Sequence, residues 1–334
     1  MIFFLLGVAA MSYDRREFLL TGSGVTLVAF VPSAVFADDF TSFIDFVRQK
    51  ASERGVSQDV VNSALAGLQV NEKVIRLDNR QPEGRITFPE YRSKIVNGYR
   101  INQGRKKLKQ HNKLLDQVSR EFGVSKFIIL ALWGIETGYG SFTGGFDIIE
   151  SLATLAFDGR RRSFFLAQLI DALVILDQGH IERSAFKGSW AGAMGQCQFM
   201  PSSFLESAVD YNGDGRRDIW SSHEDVFASM ANYLSKAGWE EPLHWGIELH
   251  KDQLKDDKLA LKEYRDISEW HRDDYWIGDA PKSVQIGVVA KLVAPDNDRA
   301  NLFLVGKNFD VIMKWNRSTY FAASVGLLAD ALSV

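Results

Sequence analysis

Apolar residues recur along most of the chain at the three- and four-residue spacing of helices that bury one face. Over residues 40–68, Phe43, Phe46, Val47, Val60, Val61, Leu65 and Leu68 make two such faces, with Arg54-Gly55-Val56-Ser57 as the turn and Ser57 as the second cap. Residues 71–90 lose the period, and Pro82, Gly84 and Pro89 read as a connecting segment. Helical spacing returns over 90–117, 151–157, 163–178 and 226–237; in the third of these Phe164, Phe165, Leu169, Leu173 and Leu176 form the inner face. One segment departs from the amphipathic rule. From Phe127 through Trp133, and again at Ile135, every position is apolar, which predicts a helix buried all round, with Ser125 as N-cap and Gly138 and Gly140 as stops. Short apolar runs at 284–293 and 300–305 predict strands of a small sheet, and 311–332 a terminal helix. The pattern is that of a mainly α protein with a small β-containing region (α+β), without internal repeats or low-complexity tracts.

Composition narrows the picture only modestly. The 334 residues, 46% hydrophobic and 24% charged, suit one main globular domain with a smaller appendage. A net charge of −3 gives no case for a nucleic-acid partner. The six histidines lack close ligand spacing, which argues against zinc. The first residues differ in kind. Asp14-Arg15-Arg16-Glu17-Phe18-Leu19-Leu20 is a twin-arginine pattern, an apolar stretch covers 25–35, and Val35-Phe36-Ala37 offers a cleavage site before Asp38-Asp39. Residues 1–37 therefore read as an export signal; the alternative, a membrane anchor, needs a longer apolar run. Met11 competes with Met1 as the start. Cys197 is the sole cysteine, so neither an internal disulfide nor an acylated N-terminal cysteine is available, and the mature form is expected to be soluble and periplasmic.

Candidate chemistry gathers at the end of the buried helix, where Glu136 is the one carboxylate. Burial and the negative end of the helix dipole both disfavour its charged form, so it suits a general acid. The alternative is a helix-end carboxylate paired with a nearby arginine. Asp147 and Glu150, the nearest other carboxylates, have no spacing that sets them opposite it. Arg160-Arg161-Arg162 at a loop suits a carboxylate or acidic saccharide, or plain solvation. The basic run Arg105, Lys106, Lys107 and Lys109 is either a solvated face or a contact to an anionic polymer. Between Gly188 and Phe204, glycines alternating with Ser189, Gln196 and Gln198 imply backbone that approaches something closely. Asp210-Tyr211-Asn212-Gly213-Asp214-Gly215-Arg216-Arg217-Asp218 has oxygens at alternate positions and glycine at the sixth, the first half of an EF-hand loop. Ser221 stands where the bidentate Glu belongs, so closure would fall to Glu224 or Asp225, and the alternative is an Asx-rich turn.

Four pieces in one order, G-I-E-T-G-Y-G, G-S-W-A-G-A-M-G-Q-C-Q-F-M-P-S-S, D-Y-N-G-D-G and N-F-D-V-I-M-K-W-N-R-S, closely resemble the membrane-bound lytic murein transglycosylase B family. The resemblance covers residues 40–334. It implies a lysozyme-like helical core over 121–240, preceded by a helical part (38–120) and followed by a small β-containing region (241–310) and a C-terminal helix (311–334). It implies non-hydrolytic cleavage of the β-1,4 bond between N-acetylmuramic acid and N-acetylglucosamine, with Glu136 first as acid and then as base, giving 1,6-anhydro ends. The saccharide contacts it implies are Ser189, Gln198, Phe199, Arg160, Arg161, Asn316, Tyr91 and Trp315, the last standing where the family often has tyrosine. A structural calcium ion would be held by Asp210, Asn212, Asp214, the carbonyl of Arg216 and Asp225; no cofactor is implied for catalysis. The partner implied is the peptidoglycan glycan strand. A hydrolytic muramidase and a non-catalytic peptidoglycan-binding protein remain as alternatives.

Overall fold

The all-apolar run forms α6, Lys126–Thr137, and the rest of the helical body is packed around it. Ile129, Leu130, Ala131, Leu132 and Trp133 are fully buried, the isoleucine and each leucine contributing about 1.5–3 kcal/mol by leaving water. The computed structural model describes residues 40–79, 86–249, 263–272, 289–296 and 301–334. The export signal, Pro82, Gly84 and the first half of the 284–293 run lie outside the described residues.

Ahead of α6 come α1 (Phe40–Glu53), α2 (Gln58–Leu65), α3 (Glu72–Asn79), α4 (Phe88–Ile95) and α5 (Gly98–Phe122). Two of these correct the sequence reading. The segment 71–90 contains α3, whose eight residues bury little besides Val74 and Asp78, too few to display a period. Pro89 sits in the first turn of α4, where its missing N–H costs nothing, behind a capping box of Thr87 and Glu90. The single helix expected over 90–117 is two, divided where the Asn97 side chain accepts the Arg100 N–H and caps α5.

After α6 follow α7 (Ile148–Asp158), α8 (Arg162–Asp177), α9 (Pro201–Ser207) and α10 (His223–Lys236). The two-residue strands β1 (Phe146–Asp147) and β2 (Lys187–Gly188) pair antiparallel, Phe146 with Gly188. That pairing carries the glycine-rich block back to the segment leaving α6. The terminal helix expected over 311–332 is also two, α12 (Lys307–Trp315) and α13 (Thr319–Ser333), split at Asn316 with Ser318 capping α13. α13 and α5 pack directly on α6.

The small sheet comprises β3 (Gly246–Leu249), β4 (Arg265–Asp266), β5 (Val289–Val293) and β6 (Leu302–Val305), ordered β3-β6-β5-β4 and antiparallel throughout, with α11 (Ile267–Arg272) following β4. β3 escapes the sequence reading, although Ile247 and Leu249 alternate with Gly246 and Glu248, because four residues are too few to make the pattern stand out. Every β6 residue is buried: Phe303 and Val305 join the main helical core, while Leu302 and Leu304 face a second cluster with Leu249, Trp270, Ala290 and Leu292. The two-residue alternation of a strand thus seats the sheet on the helices and still gives it an apolar layer of its own. The fold class is the expected one, mainly α with small sheets.

Candidate active site

Glu136 is the penultimate residue of α6, and the chain leaves the helix through two left-handed residues, Gly138 (φ 58°) and Tyr139 (φ 61°). A tyrosine rarely adopts that conformation, so packing must hold it there. Its hydroxyl donates to the Arg100 carbonyl (2.9 Å), and its ring fills space left by two glycines: a Cβ on Gly134 would come within 2.6 Å of the ring and one on Gly104 within 2.3 Å of the hydroxyl. The Arg100 guanidinium donates to carbonyls of Lys94, Ile95 and Gly134, placing a cation against the carbonyl end of α6.

The Glu136 side chain is half-buried, and burial pushes its pKa from 4.5 up to about 7, against the lowering effect of one hydrogen bond. That bond comes from Trp315, at the end of α12, whose Nε1–H donates to Oε1 at 2.8 Å. Among the described residues, no carboxylate contributes to the shift. Asp147 caps α7 and is paired with Arg183 (2.5 Å) and Lys187 (3.3 Å), while Glu150 accepts from Asn71 (2.7 Å). The arrangement holds one carboxyl, protonated near neutrality and reached by solvent, with an indole N–H at one of its oxygens.

The glycine-rich block is fastened to α6 by Gln196, which the sequence reading quoted without giving it a role. Its Oε1 accepts the Trp133 indole N–H (2.8 Å), its Nε2 donates to the Trp220 carbonyl (2.9 Å), its backbone N–H donates to Ile219, and its backbone carbonyl accepts the Thr137 hydroxyl. Nothing in the pattern separates this glutamine from Gln198, two residues on. Gln198 is left-handed (φ 51°) and donates to the carbonyls of Thr143 and Gly195. The Ser189 hydroxyl accepts the Ala193 N–H (2.9 Å) and closes the turn at the start of the block.

The remaining predicted contacts fall into two groups. Phe199 and Tyr91 are buried, at 3% and 7% exposure, so neither presents an open face to a sugar. Phe199 instead supports Trp315 (ring centroids 5.2 Å), and Tyr91 packs edge-on against Tyr320 while its hydroxyl feels the Glu136 charge. Asn316 sits beside Trp315 as the residue closing α12. Arg160 and Arg161 are engaged elsewhere. Both pair with Asp78 of α3 (3.3 and 2.9 Å), a carboxylate only 2% exposed, and Arg160 also reaches Asn79. The structure therefore gives the arginine pair an intramolecular partner.

The loop from Asp210 takes up a turn in which that carboxylate accepts the N–H groups of Gly213, Asp214 and Gly215, with Gly213 and Gly215 left-handed. Asn212 and Asp214 accept the N–H groups of Asp214 and Arg216. The alternating oxygens suit a hard cation. Asp225 differs from its expected part: fully buried, it uses one oxygen on the N–H groups of Tyr211 and Asn212 and the other on that of Asp218, fastening the loop to α10 from behind. Among the described residues no three His, Cys, Asp or Glu side chains gather as a metal cluster. Cys197 is buried and unpaired in a disulfide, with burial raising its pKa.

Comparison with known proteins bears directly on this geometry. The family described as "Transglycosylase SLT domain" matches residues 39–330. The chain is 26% identical over 313 residues to membrane-bound lytic murein transglycosylase B of Escherichia coli (strain K12), spanning 86% of this chain and 82% of that one. Among solved structures, SltB3 from Pseudomonas aeruginosa in complex with NAG-NAM-pentapeptide superposes with a TM-score of 0.84 at 38% identity, covering 89% of this chain and 80% of SltB3. Escherichia coli Slt35 in complex with calcium gives a TM-score of 0.72 at 28% identity, covering 88% and 92%.

Proposed function

The chain belongs to the SLT transglycosylase family and is a lytic transglycosylase of peptidoglycan, and we propose that Glu136 alone conducts its proton transfers. Protonated Glu136 gives its proton to the glycosidic oxygen as the bond from that oxygen to C1 of N-acetylmuramic acid breaks. The resulting carboxylate takes the proton of the muramoyl 6-hydroxyl as O6 bonds to C1. The departing N-acetylglucosamine leaves with its 4-hydroxyl, and the muramoyl end becomes 1,6-anhydro; no water enters.

The observation that carries this reading is a single carboxyl with a pKa of about 7 whose nearest carboxylate neighbours in sequence are committed to Arg183, Lys187 and Asn71. Most hydrolytic glycosidases use a second carboxylate to activate water or to attack C1. A hydroxyl of the substrate itself needs none, and gains from being tethered next to C1. Ser189, Gln198, Asn316 and the open face of Trp315 are our assigned sugar contacts. Phe199 and Tyr91 act from beneath, and Arg160 and Arg161 brace the fold beside the cleft.

We assign a structural calcium ion to Asp210, Asn212, Asp214 and the Arg216 carbonyl, held from behind by Asp225. Support comes from the alternating oxygens and from the calcium complex of Slt35. Bound calcium would cross-link the loop and take no part in the chemistry. Calcium should raise the melting temperature of the wild type and leave Asp214→Ala unmoved; absence of any rise in the wild type removes the site. The domain division at 120, 240 and 310 and export through the twin-arginine signal are likewise proposed. Among the described residues no helix is long and apolar enough to cross a membrane.

Digesting purified peptidoglycan and identifying the new ends by mass spectrometry tests the reading. Anhydromuramoyl ends from the wild type and none from Glu136→Gln are expected. Reducing ends would make the protein a hydrolase, no release would make it a binding protein, and cleavage by Glu136→Gln would remove Glu136 from the mechanism.

A further inference from the structure

Given Glu136 as acid and base, we propose that Trp315 is the positioning residue that decides which oxygen of Glu136 does the work. Its indole N–H occupies Oε1 throughout the cycle and leaves the proton, in both directions, to Oε2.

The argument starts from hydrogen-bond capacity. An indole nitrogen donates and never accepts. With Nε1 2.8 Å from Oε1, that oxygen accepts in either protonation state, and the carbonyl oxygen of a carboxylic acid is a better acceptor than its hydroxyl oxygen, so the bond favours the form with its carbonyl at Oε1. The acid proton therefore resides on Oε2, the oxygen left to face the glycosidic bond. Once it has been given away, the same N–H meets a full carboxylate, and a neutral hydrogen bond becomes a charge-assisted one. It thus stabilises the conjugate base that exists between bond cleavage and attack of the 6-hydroxyl. When O6 bonds to C1 its proton returns to Oε2, and the enzyme regains its starting form.

A donor serves this purpose only if it stays in place. The Trp315 ring lies against Phe199 (5.2 Å between centroids) and edge-on to Tyr233 (4.9 Å). The Tyr233 hydroxyl donates to the carbonyl of Lys314, one residue before the indole, at 2.8 Å. Phe199 is fixed in turn by paired backbone bonds with Met194. The glycine-rich block and α10 therefore hold the indole from two sides, which accounts for Phe199, a buried aromatic that makes a poor sugar platform.

The titratable or charged groups on the elements around Glu136 do not duplicate this role. From α4 comes the Tyr91 hydroxyl and from the glycine-rich block the Cys197 thiol; burial keeps both neutral. From α5 comes Arg100, whose guanidinium is engaged by the backbone carbonyls at positions 94, 95 and 134. On α10, Asp225 is turned to its own loop, and at the end of α12 the Lys314 ammonium donates to the Ala237 carbonyl.

The test compares pH profiles of kcat for wild type and Trp315→Phe on peptidoglycan. Phenylalanine keeps a ring between Phe199 and Tyr233 while removing the N–H and part of the indole's bulk, and lost packing by itself would lower the rate without moving the limb. Loss of a bond that favours the ionised form should move the high-pH falling limb upward by about one pH unit and lower kcat about ten-fold at the optimum. An equal loss of rate at every pH, with the limb unmoved, overturns the proposal. Should the variant fail to fold, the wild type still decides. Its Trp315 indole ¹⁵N–¹H signal should titrate with a midpoint near 7 and should not do so in Glu136→Gln, whose amide carbonyl takes the place of Oε1. An indole signal that ignores pH refutes the proposal while leaving the reaction intact; cleavage by Glu136→Gln refutes the reaction itself.

Discussion

A carboxyl kept half-buried for proton donation should destabilise the fold whenever it is ionised, and Glu136→Gln should reveal by how much. The pKa of Glu136 is about 7 in the folded protein against an ordinary value of 4.5. Each pH unit of difference is worth 1.36 kcal/mol, so the two and a half units amount to about 3 kcal/mol. The sign follows from proton binding. Between pH 4.5 and 7 the folded state holds this proton while the unfolded chain has lost it, so raising the pH through that window weakens the fold. Below it both states are protonated and the effect vanishes; above it the whole penalty applies. Glutamine has the shape of the protonated acid and no charge to desolvate. At pH 8 Glu136→Gln should therefore be the more stable protein by about 3 kcal/mol, roughly 4–5 °C in Tm for a chain of this size, and at pH 4 the two should coincide. Urea unfolding of both proteins across pH 4–8 measures the difference, and effects of all other titrating groups cancel in it. A glutamine variant no more stable than wild type at pH 8, or more stable by a constant amount at every pH, would refute the assignment of a raised pKa to Glu136.

Three further outcomes follow from the packing. Gly134→Ala in α6 should be destabilising by about 1–3 kcal/mol, because its methyl would strike the Tyr139 ring, although helix propensity alone predicts a gain of about 1 kcal/mol; urea unfolding gives the sign. Asp78→Ala should cost about 1–2 kcal/mol in the same assay, since two half-exposed arginines lose their buried partner, and should leave the pH limb of kcat where it is. Asp225→Ala strips three backbone N–H groups of their acceptor and should cost about 3 kcal/mol even with no calcium added.

How far the sequence announces this site depends on the range of the interaction concerned. Glu136 was legible because its signal is local: a run with no polar face, ended by glycines, with one carboxyl at its edge. The fold class was legible for the same reason, through helical spacing and the order of four motifs. What escaped depends on chain segments far apart. Trp315 is 179 residues from Glu136, and its N–H bond to that carboxylate comes in addition to the stacking expected of its ring. Phe199 and Tyr91 looked like cleft aromatics because sequence does not say which face of a ring is covered. Arg160 and Arg161 suited a carboxylate or an acidic saccharide, and the carboxylate they meet, Asp78, could not be picked out because it lies in a helix too short to show a period. The helix breaks at Asn97 and Asn316 were hidden by apolar spacing that runs on across a cap. Tyr139 is the clearest case: a left-handed tyrosine is intelligible only once Gly104 and Gly134 are seen to make room for it.

The most direct test of the central claim, one carboxyl and no water, is digestion of peptidoglycan in H₂¹⁸O followed by mass spectrometry of the released ends. If the muramoyl 6-hydroxyl is the nucleophile, every new end is 1,6-anhydro and carries no ¹⁸O. Reducing muramoyl ends labelled with ¹⁸O would mean that water attacks C1, and the single-carboxyl account of Glu136 would be wrong.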